Sequence, residues 1–294
     1  MAAETVPARI DVPKPLSAAQ VEQYITLGFL LLRDALGEDE VDELRRDAIA
    51  IARGAYPCPA IKAAPDDASD EQVLQSFLCV HQPHRVSPVV RRYVGHPLVC
   101  GALSQVVAAH LPGWDGSVKC MQSMLFVKPP GNPGQAWHQD EIYIPTRDRS
   151  LCGAWIALDD ATVDNGCLWV VPGAHRSGYL YPQRPHSQPD EFDFAEESHG
   201  FDESAEVAVE VPRGGVLLFN GYLLHRSRRN RSTVYRRALV NHYMNAWSLL
   251  PWEVREGERP ANADCRAVVP VAGIDPYHWK GYEERGDIWL RPRQ

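Results

Sequence analysis

His138 and Asp140 stand two residues apart in Gln135-Ala-Trp-His-Gln-Asp-Glu-Ile-Tyr143. On a β-strand, residues i and i+2 point to the same face, so one imidazole and one carboxylate would converge there. A second imidazole would complete the two-histidine, one-carboxylate facial set used by non-haem Fe(II) oxygenases, which leaves the opposite side of the metal open. His225 is the best candidate, in Gly215-Val-Leu-Leu-Phe-Asn-Gly-Tyr-Leu-Leu-His225-Arg-Ser227, where an apolar strand runs into a loop. Eleven residues on, Arg236 opens another apolar strand. Its planar fork suits a carboxylate, and the Ser227 hydroxyl can add a further contact.

These residues need a scaffold with many returning strands. Helices are expected over residues 17–28 (a capping box at Ser17-Ala-Ala-Gln20 and a stop at Gly28), about Glu38–Arg53, Ser87–Val94 and Pro97–Leu111. Short strands are expected at Phe29–Arg33, Leu74–His81, Ser117–Val127, Cys152–Leu158, Cys167–Val171, Ala205–Val211, Gly215–Phe219 and Arg237–Met244. They are rich in Val, Leu, Ile and Trp and bounded by turn residues. The pattern reads as mainly β with flanking α-helices, in a sandwich or barrel. We expect one domain over 1–294: a loose tail at 1–15, a mostly helical flank at 16–111, a β core at 117–248 and a packed, aromatic C-terminal tail at 250–294. A polar, proline- and acid-rich insertion at 179–204 is the expected lid.

Composition narrows the function. A formal net charge of −8 argues against a nucleic-acid or anionic-membrane surface. No apolar run approaches the roughly 18–20 residues of a membrane span. Seven scattered cysteines without a C-x-x-C pair, and no signal peptide, fit a cytoplasmic protein. A small-molecule substrate, and a monomer or homodimer, are the expectations.

The motifs resemble those of the phytanoyl-CoA dioxygenase family of Fe(II)- and 2-oxoglutarate-dependent oxygenases over roughly residues 17–250. The resemblance is carried by His138-Gln-Asp140, Asn165-Gly-Cys-Leu-Trp-Val-Val-Pro-Gly-Ala-His175, His225-Arg-Ser227 with Asn230 and Arg236, and the upstream Lys128-Pro-Pro-Gly131. It implies a double-stranded β-helix, the cupin-like jelly roll. His138, Asp140 and His225 would be the iron ligands, and Arg236, with Ser227, would hold the distal carboxylate of 2-oxoglutarate. Trp155 falls near a position lining that pocket, and Gln122 or Lys119 would supply a further contact. Fe(II), 2-oxoglutarate and O2 are the implied cofactor and cosubstrates, giving hydroxylation of a C–H bond with release of succinate and CO2. Desaturation, epimerisation or ring formation would use the same ligands. Asp140 argues against halogenation, since iron halogenases replace that carboxylate with a small residue.

Duller readings compete. An isolated H-x-D is common, and Arg236 alone would be a surface ion pair. His175 is read as a structural imidazole, His242 as a buried, hydrogen-bonded one in preference to one facing the pocket, the cysteines as core residues, and the 226–231 basic run as a solvated loop. Trp137, Tyr143, Tyr222 and His81 are candidates for the substrate pocket, with His84 beside them. The alternative functions are a zinc or manganese hydrolase or isomerase on a cupin-like barrel, which leaves Arg236 and Ser227 unused, and a non-catalytic binder of metal and 2-oxoglutarate.

Overall fold

The computed structural model describes residues 7–56, 61, 65–249, 268–282 and 288–291. Its helices are α1 (Ala18–Leu27), α2 (Glu38–Ala52), α3 (Asp70–Leu74), α4 (Pro88–Val94) and α5 (Pro97–Val106). Two strands are interleaved with them, β1 (Phe29–Leu32) and β2 (Cys79–His81). The later strands are β3 (Val118–Lys128), β4 (Gln135–His138), β5 (Cys152–Ala157), β6 (Leu168–Val170), β7 (Gln183–Arg184), β8 (Glu197–Ser198), β9 (Val207–Val209), β10 (Val216–Asn220), β11 (His225–Ser227), β12 (Arg236–Asn245), β13 (Val269–Ala272) and β14 (Trp289–Arg291).

The strands form a double-stranded β-helix. Its large sheet runs β1-β10-β5-β12-β3-β2-β14, with β13 also paired to β3, and its small sheet runs β4-β11-β6-β9. Both faces of the large sheet are covered, so its strands read as near-continuous apolar runs. Trp155, Ala157, Leu217, Phe219, Ala238 and Val240 face inward and pack with Leu168, Val170 and Val209 of the small sheet. Their neighbours Ala154, Ile156, Val216, Leu218 and Leu239 face outward, onto Val41, Leu44, Ala48 and Ile51 of α2. The same 2.0-residue period that fills the core therefore decides which side chains reach the interior.

Local signals explain the helices. Ser17 and Gln20 form a reciprocal capping box, and Gly28 ends α1 at φ +83°, where a side chain would be strained. The structure corrects two boundaries. Leu74–His81 is not one strand, because a second capping box at Ser69 and Gln72 starts α3, and β2 begins only at Cys79. The helix from Pro97 stops at Val106, and residues 107–110 continue as turns.

The chain ends differ from a simple tail. Residues 7–15 lie on the surface but are pinned, with Ile10 and Gly273 exchanging backbone hydrogen bonds of 2.9 and 2.8 Å and Arg9 paired with Asp115. In the C-terminal segment β13 and β14 join the large sheet. Trp252 lies outside the described residues, and Trp279 and Tyr282 stay exposed.

Candidate metal centre and cosubstrate pocket

His138 ends β4 and Asp140 opens a 3-10 turn, so the expected single strand carrying both is corrected. They converge nonetheless, because the chain turns at Gln139. Its buried side chain donates to the carbonyls of Tyr179 and Tyr222 and accepts from Tyr181 N. His225 arrives from β11, directly opposite His138 in the small sheet. One donor atom from each of the three residues lies within 4.8 Å of the others, the geometry of a metal-binding group.

Hydrogen bonds set the imidazole tautomers. His138 Nδ1 is 2.8 Å from the Ala136 carbonyl and His225 Nδ1 is 2.9 Å from the Leu223 carbonyl. Each Nδ1–H is thus taken, and each Nε2 lone pair faces the centre. Burial, with the neighbouring His225, pushes the His138 imidazole down to about 3, so it is a neutral ligand at ordinary pH. Burial alone would raise the Asp140 carboxyl. The neighbouring His225, the His242 hydrogen bond and His138 outweigh it and hold the carboxyl below its usual range. Asp140 Oδ1 lies 3.7 and 3.6 Å from the two Nε2 atoms. Its Oδ2 accepts from His242 Nε2 at 3.0 Å. Gln122 Nε2 lies 3.4 Å from His242 Nδ1, which makes that nitrogen the acceptor and Nε2 the donor.

A cavity of about 520 Å3 surrounds this centre. At one end Arg236 is buried, its guanidinium 5.3 Å from the Trp155 ring centroid and its Nε without a hydrogen-bond partner among the described residues. Lys128 is buried beside it, donating to Ser227 Oγ at 3.1 Å and the Arg228 carbonyl at 2.6 Å, both neutral acceptors. Burial lowers both cations, Arg236 to about 10 and Lys128 well below the lysine range, where the Arg236 charge adds to the effect. Two cations desolvated in one pocket are costly unless an anion joins them. A dicarboxylate meets that need, and the cluster therefore fits 2-oxoglutarate as the histidine–aspartate group fits Fe(II).

The cavity also takes in Gln122, Trp155, Ser227, His81, Tyr143 and His242 from the sequence-derived candidates. Trp137 and Tyr222 are corrections, as neither is among the lining residues. Trp137 points to the opposite side of β4 from His138, beneath Arg226, and its Nε1 donates to Glu203. Tyr222 sits by Arg149 and binds Gln139 through its carbonyl. Lys119 is buried 3.8 Å from Asp275, and His84 sits on Ser123. His175 ties its turn to α1 through the Ile25 carbonyl.

Sequence reasoning ranked one pocket contribution second and missed two more. His242 was readable from β12, where Arg236, Ala238, Val240 and His242 fall on one face at a period of two. Lys128 was readable likewise from Gln122, Met124 and Phe126 on β3; all four line the cavity. The third, the outer wall from Asp193, Phe194, Trp289 and Arg291, had no local signal.

The basic 226–231 run is not simply solvated. Arg226 and Arg228 pair with Glu206, and Arg231 with Glu191. Glu191 belongs to the 179–204 insertion, whose backbone also meets Gly134, just before β4, through Gly134 N to Glu191 O and Asp193 N to Gly134 O, each 2.8 Å.

Comparison with known proteins agrees with this geometry. The phytanoyl-CoA dioxygenase family model matches residues 24–238. Phytanoyl-CoA dioxygenase 1 of Oryza sativa subsp. japonica is 37% identical over 143 residues, 46% of this chain and 50% of that protein. The chain matches 44–62% of the length of the first three such relatives. Two solved structures share the fold. The non-heme alpha ketoglutarate dependent carbocyclase SnoK from nogalamycin biosynthesis has a TM-score of 0.59 at 24% identity, covering 85% of this chain and 92% of its own. EvdO2 from Micromonospora carbonacea var. aurantiaca, complexed with 2-oxoglutarate, has a TM-score of 0.58 at 23% identity, covering 94% and 100%. With the jelly roll, the facing histidines and the family model spanning most of the chain, the protein belongs to the phytanoyl-CoA dioxygenase family.

Proposed function

We propose that the protein is an Fe(II)- and 2-oxoglutarate-dependent dioxygenase that hydroxylates an unactivated C–H bond of a small-molecule metabolite. The observation that carries this reading is the pairing, in one cavity, of the His138, Asp140 and His225 donor group with the buried cations Arg236 and Lys128. When bound, iron with 2-oxoglutarate and O2 supplies the oxidising chemistry, in which one oxygen atom enters the substrate as hydroxyl and the other enters succinate as CO2 leaves.

The chain's own residues do the positioning. His138 and His225 present their Nε2 atoms to the centre because backbone carbonyls hold their Nδ1 protons. Asp140 offers Oδ1 while His242 holds Oδ2. Arg236 and Lys128 would take the distal carboxylate, with Ser227 hydrogen-bonded to Lys128 and the Trp155 ring 5.3 Å from the guanidinium. Phe219, Trp155 and Val240 keep this end apolar, which strengthens each charge contact. A zinc hydrolase reading leaves the two buried cations without a role. The five free cysteines among the described residues are all buried, which favours a reducing, cytoplasmic setting. Among the described residues no helix is long and apolar enough to cross a membrane.

The test is anaerobic addition of Fe(II) and then 2-oxoglutarate, reading the weak visible charge-transfer band of a chelated keto acid. The band is expected in the wild type and weakened at equal 2-oxoglutarate in Arg236→Ala. Iron binding without any band would overturn the reading.

A further inference from the structure

The mouth of the cavity is built differently from its floor. Trp155, Phe219 and Arg236 are almost wholly buried, whereas Tyr143, Phe194 and Trp289 keep 44%, 61% and 50% of their surface exposed although all three line the cavity. They come from three separate segments: the turn after Asp140, the 179–204 insertion and β14. Large aromatic surface left in water around a concave site is a recognition feature.

Trp289 is the best defined of them. It pairs with His81 across β14 and β2, and the two rings stack with centroids 3.3 Å apart and planes 12° from parallel. His81 covers one face of the indole and holds it flat, while half of the tryptophan stays open at the mouth.

The arginines at the mouth do not call for an anion. Arg291 is matched by Asp193 at 2.6 Å, and its guanidinium lies 4.8 Å from the Phe194 ring centroid. In the basic 226–231 run, Arg226, Arg228 and Arg231 are paired with Glu203, Glu206 and Glu191, and Arg229 donates to the Asp190 carbonyl. What is left suits neutral oxygen. Arg291 Nε is buried without a hydrogen-bond partner among the described residues. Tyr143 Oη accepts from Gln183 Nε2 at 2.9 Å, so its own proton is available for donation.

We infer that Trp289 is a stacking platform, and that the substrate is a flat, conjugated ring system bearing hydroxyl or keto oxygens and no anionic group. Aromatic faces prefer an offset or edgewise partner ring, and a puckered saturated skeleton of equal size cannot match that contact. This inference rests on the oxygenase reading only for the chemistry that follows binding.

The test compares 2-naphthol with its saturated counterpart decahydro-2-naphthol, and with naphthalene-2-sulfonate, by calorimetric titration of the anaerobic Fe(II)- and 2-oxoglutarate-loaded protein. Binding of 2-naphthol is expected, with the saturated alcohol and the sulfonate each at least about tenfold weaker. Trp289→Leu keeps an apolar side chain and should weaken 2-naphthol about two- to tenfold, the span of one aromatic pair. Trp289→Phe should stay within about threefold of wild type, and Trp279→Leu, outside the cavity, should not change binding. Equal affinity for the flat and saturated alcohols, preference for the sulfonate, or indifference of 2-naphthol to Trp289→Leu would overturn the proposal. Iron and 2-oxoglutarate binding, measured in the same samples, separates the two ideas. If they bind and 2-naphthol does not, the platform falls and the oxygenase reading stands. If 2-naphthol binds through Trp289 where iron and 2-oxoglutarate do not, the reverse holds.

Discussion

Removing the His242 side chain is expected to loosen the metal centre without touching a ligand. Asp140 carries two oxygens with different duties. Oδ1 sits 3.7 and 3.6 Å from the ligand imidazoles, and Oδ2 accepts from His242 Nε2 at 3.0 Å. In His242→Leu the apolar volume remains, but Oδ2 loses its donor and the carboxylate can rotate about its terminal bond. A hydrogen bond to a charged acceptor contributes about 1.5–3 kcal/mol. Loss of partners that orient metal ligands costs about 10–100-fold in affinity, which is about 1.4–2.7 kcal/mol. The two ranges agree, so Fe(II) should bind about 10–100-fold more weakly, read by anaerobic competition with a chromophoric chelator. His242→Gln places an amide donor at nearly the same reach and should recover much of the loss. The same order should appear with Co(II), whose visible absorption also reports coordination geometry. Wild-type affinity in His242→Leu, or equal weakness in the Leu and Gln variants, would refute the assignment of His242 as the residue that positions Asp140.

Other outcomes follow from the same geometry. Burial and Arg236 lower the Lys128 amine, and a bound carboxylate favours its charged form, so 2-oxoglutarate affinity should fall as pH rises through the lowered Lys128 value. Without 2-oxoglutarate the sign reverses for stability: between that value and the ordinary lysine range near ~10.4 the unfolded chain holds more protons, so stability rises with pH. Lys128→Met should remove both slopes, and a slope that survives would assign the effect elsewhere. A Cβ at Gly134 would overlap the Ser227 carbonyl, so Gly134→Ala should destabilise by about 1–3 kcal/mol in denaturant titration, and an unchanged midpoint would show that β4 and β11 can separate freely.

The ligand set was legible in the sequence because it is tied to local features that survive translation into structure. His138 and His225 each sit where an apolar strand meets a turn, and Arg236 opens a strand whose alternate residues face inward. The same alternation carries Lys128 and His242 to the cavity, so their roles were latent in strands already recognised; what was lacking was knowledge of which face is interior. Trp137 fails by the same rule, since it neighbours His138 in sequence and so must point the other way on β4. The two-residue spacing of His138 and Asp140 gave convergence through the wrong element, a 3-10 turn held by Gln139 in place of a continuous strand. The outer wall is a different case. Trp289 reaches the site only because β14 pairs with β2 across more than two hundred residues of chain, and Phe194 only because the insertion docks on Gly134. Such placements depend on the assembled sheet edge and on ion pairs such as Arg291–Asp193, which no local period encodes. In this chain the floor of the site is therefore written in strand periodicity, whereas its mouth arises from long-range pairing.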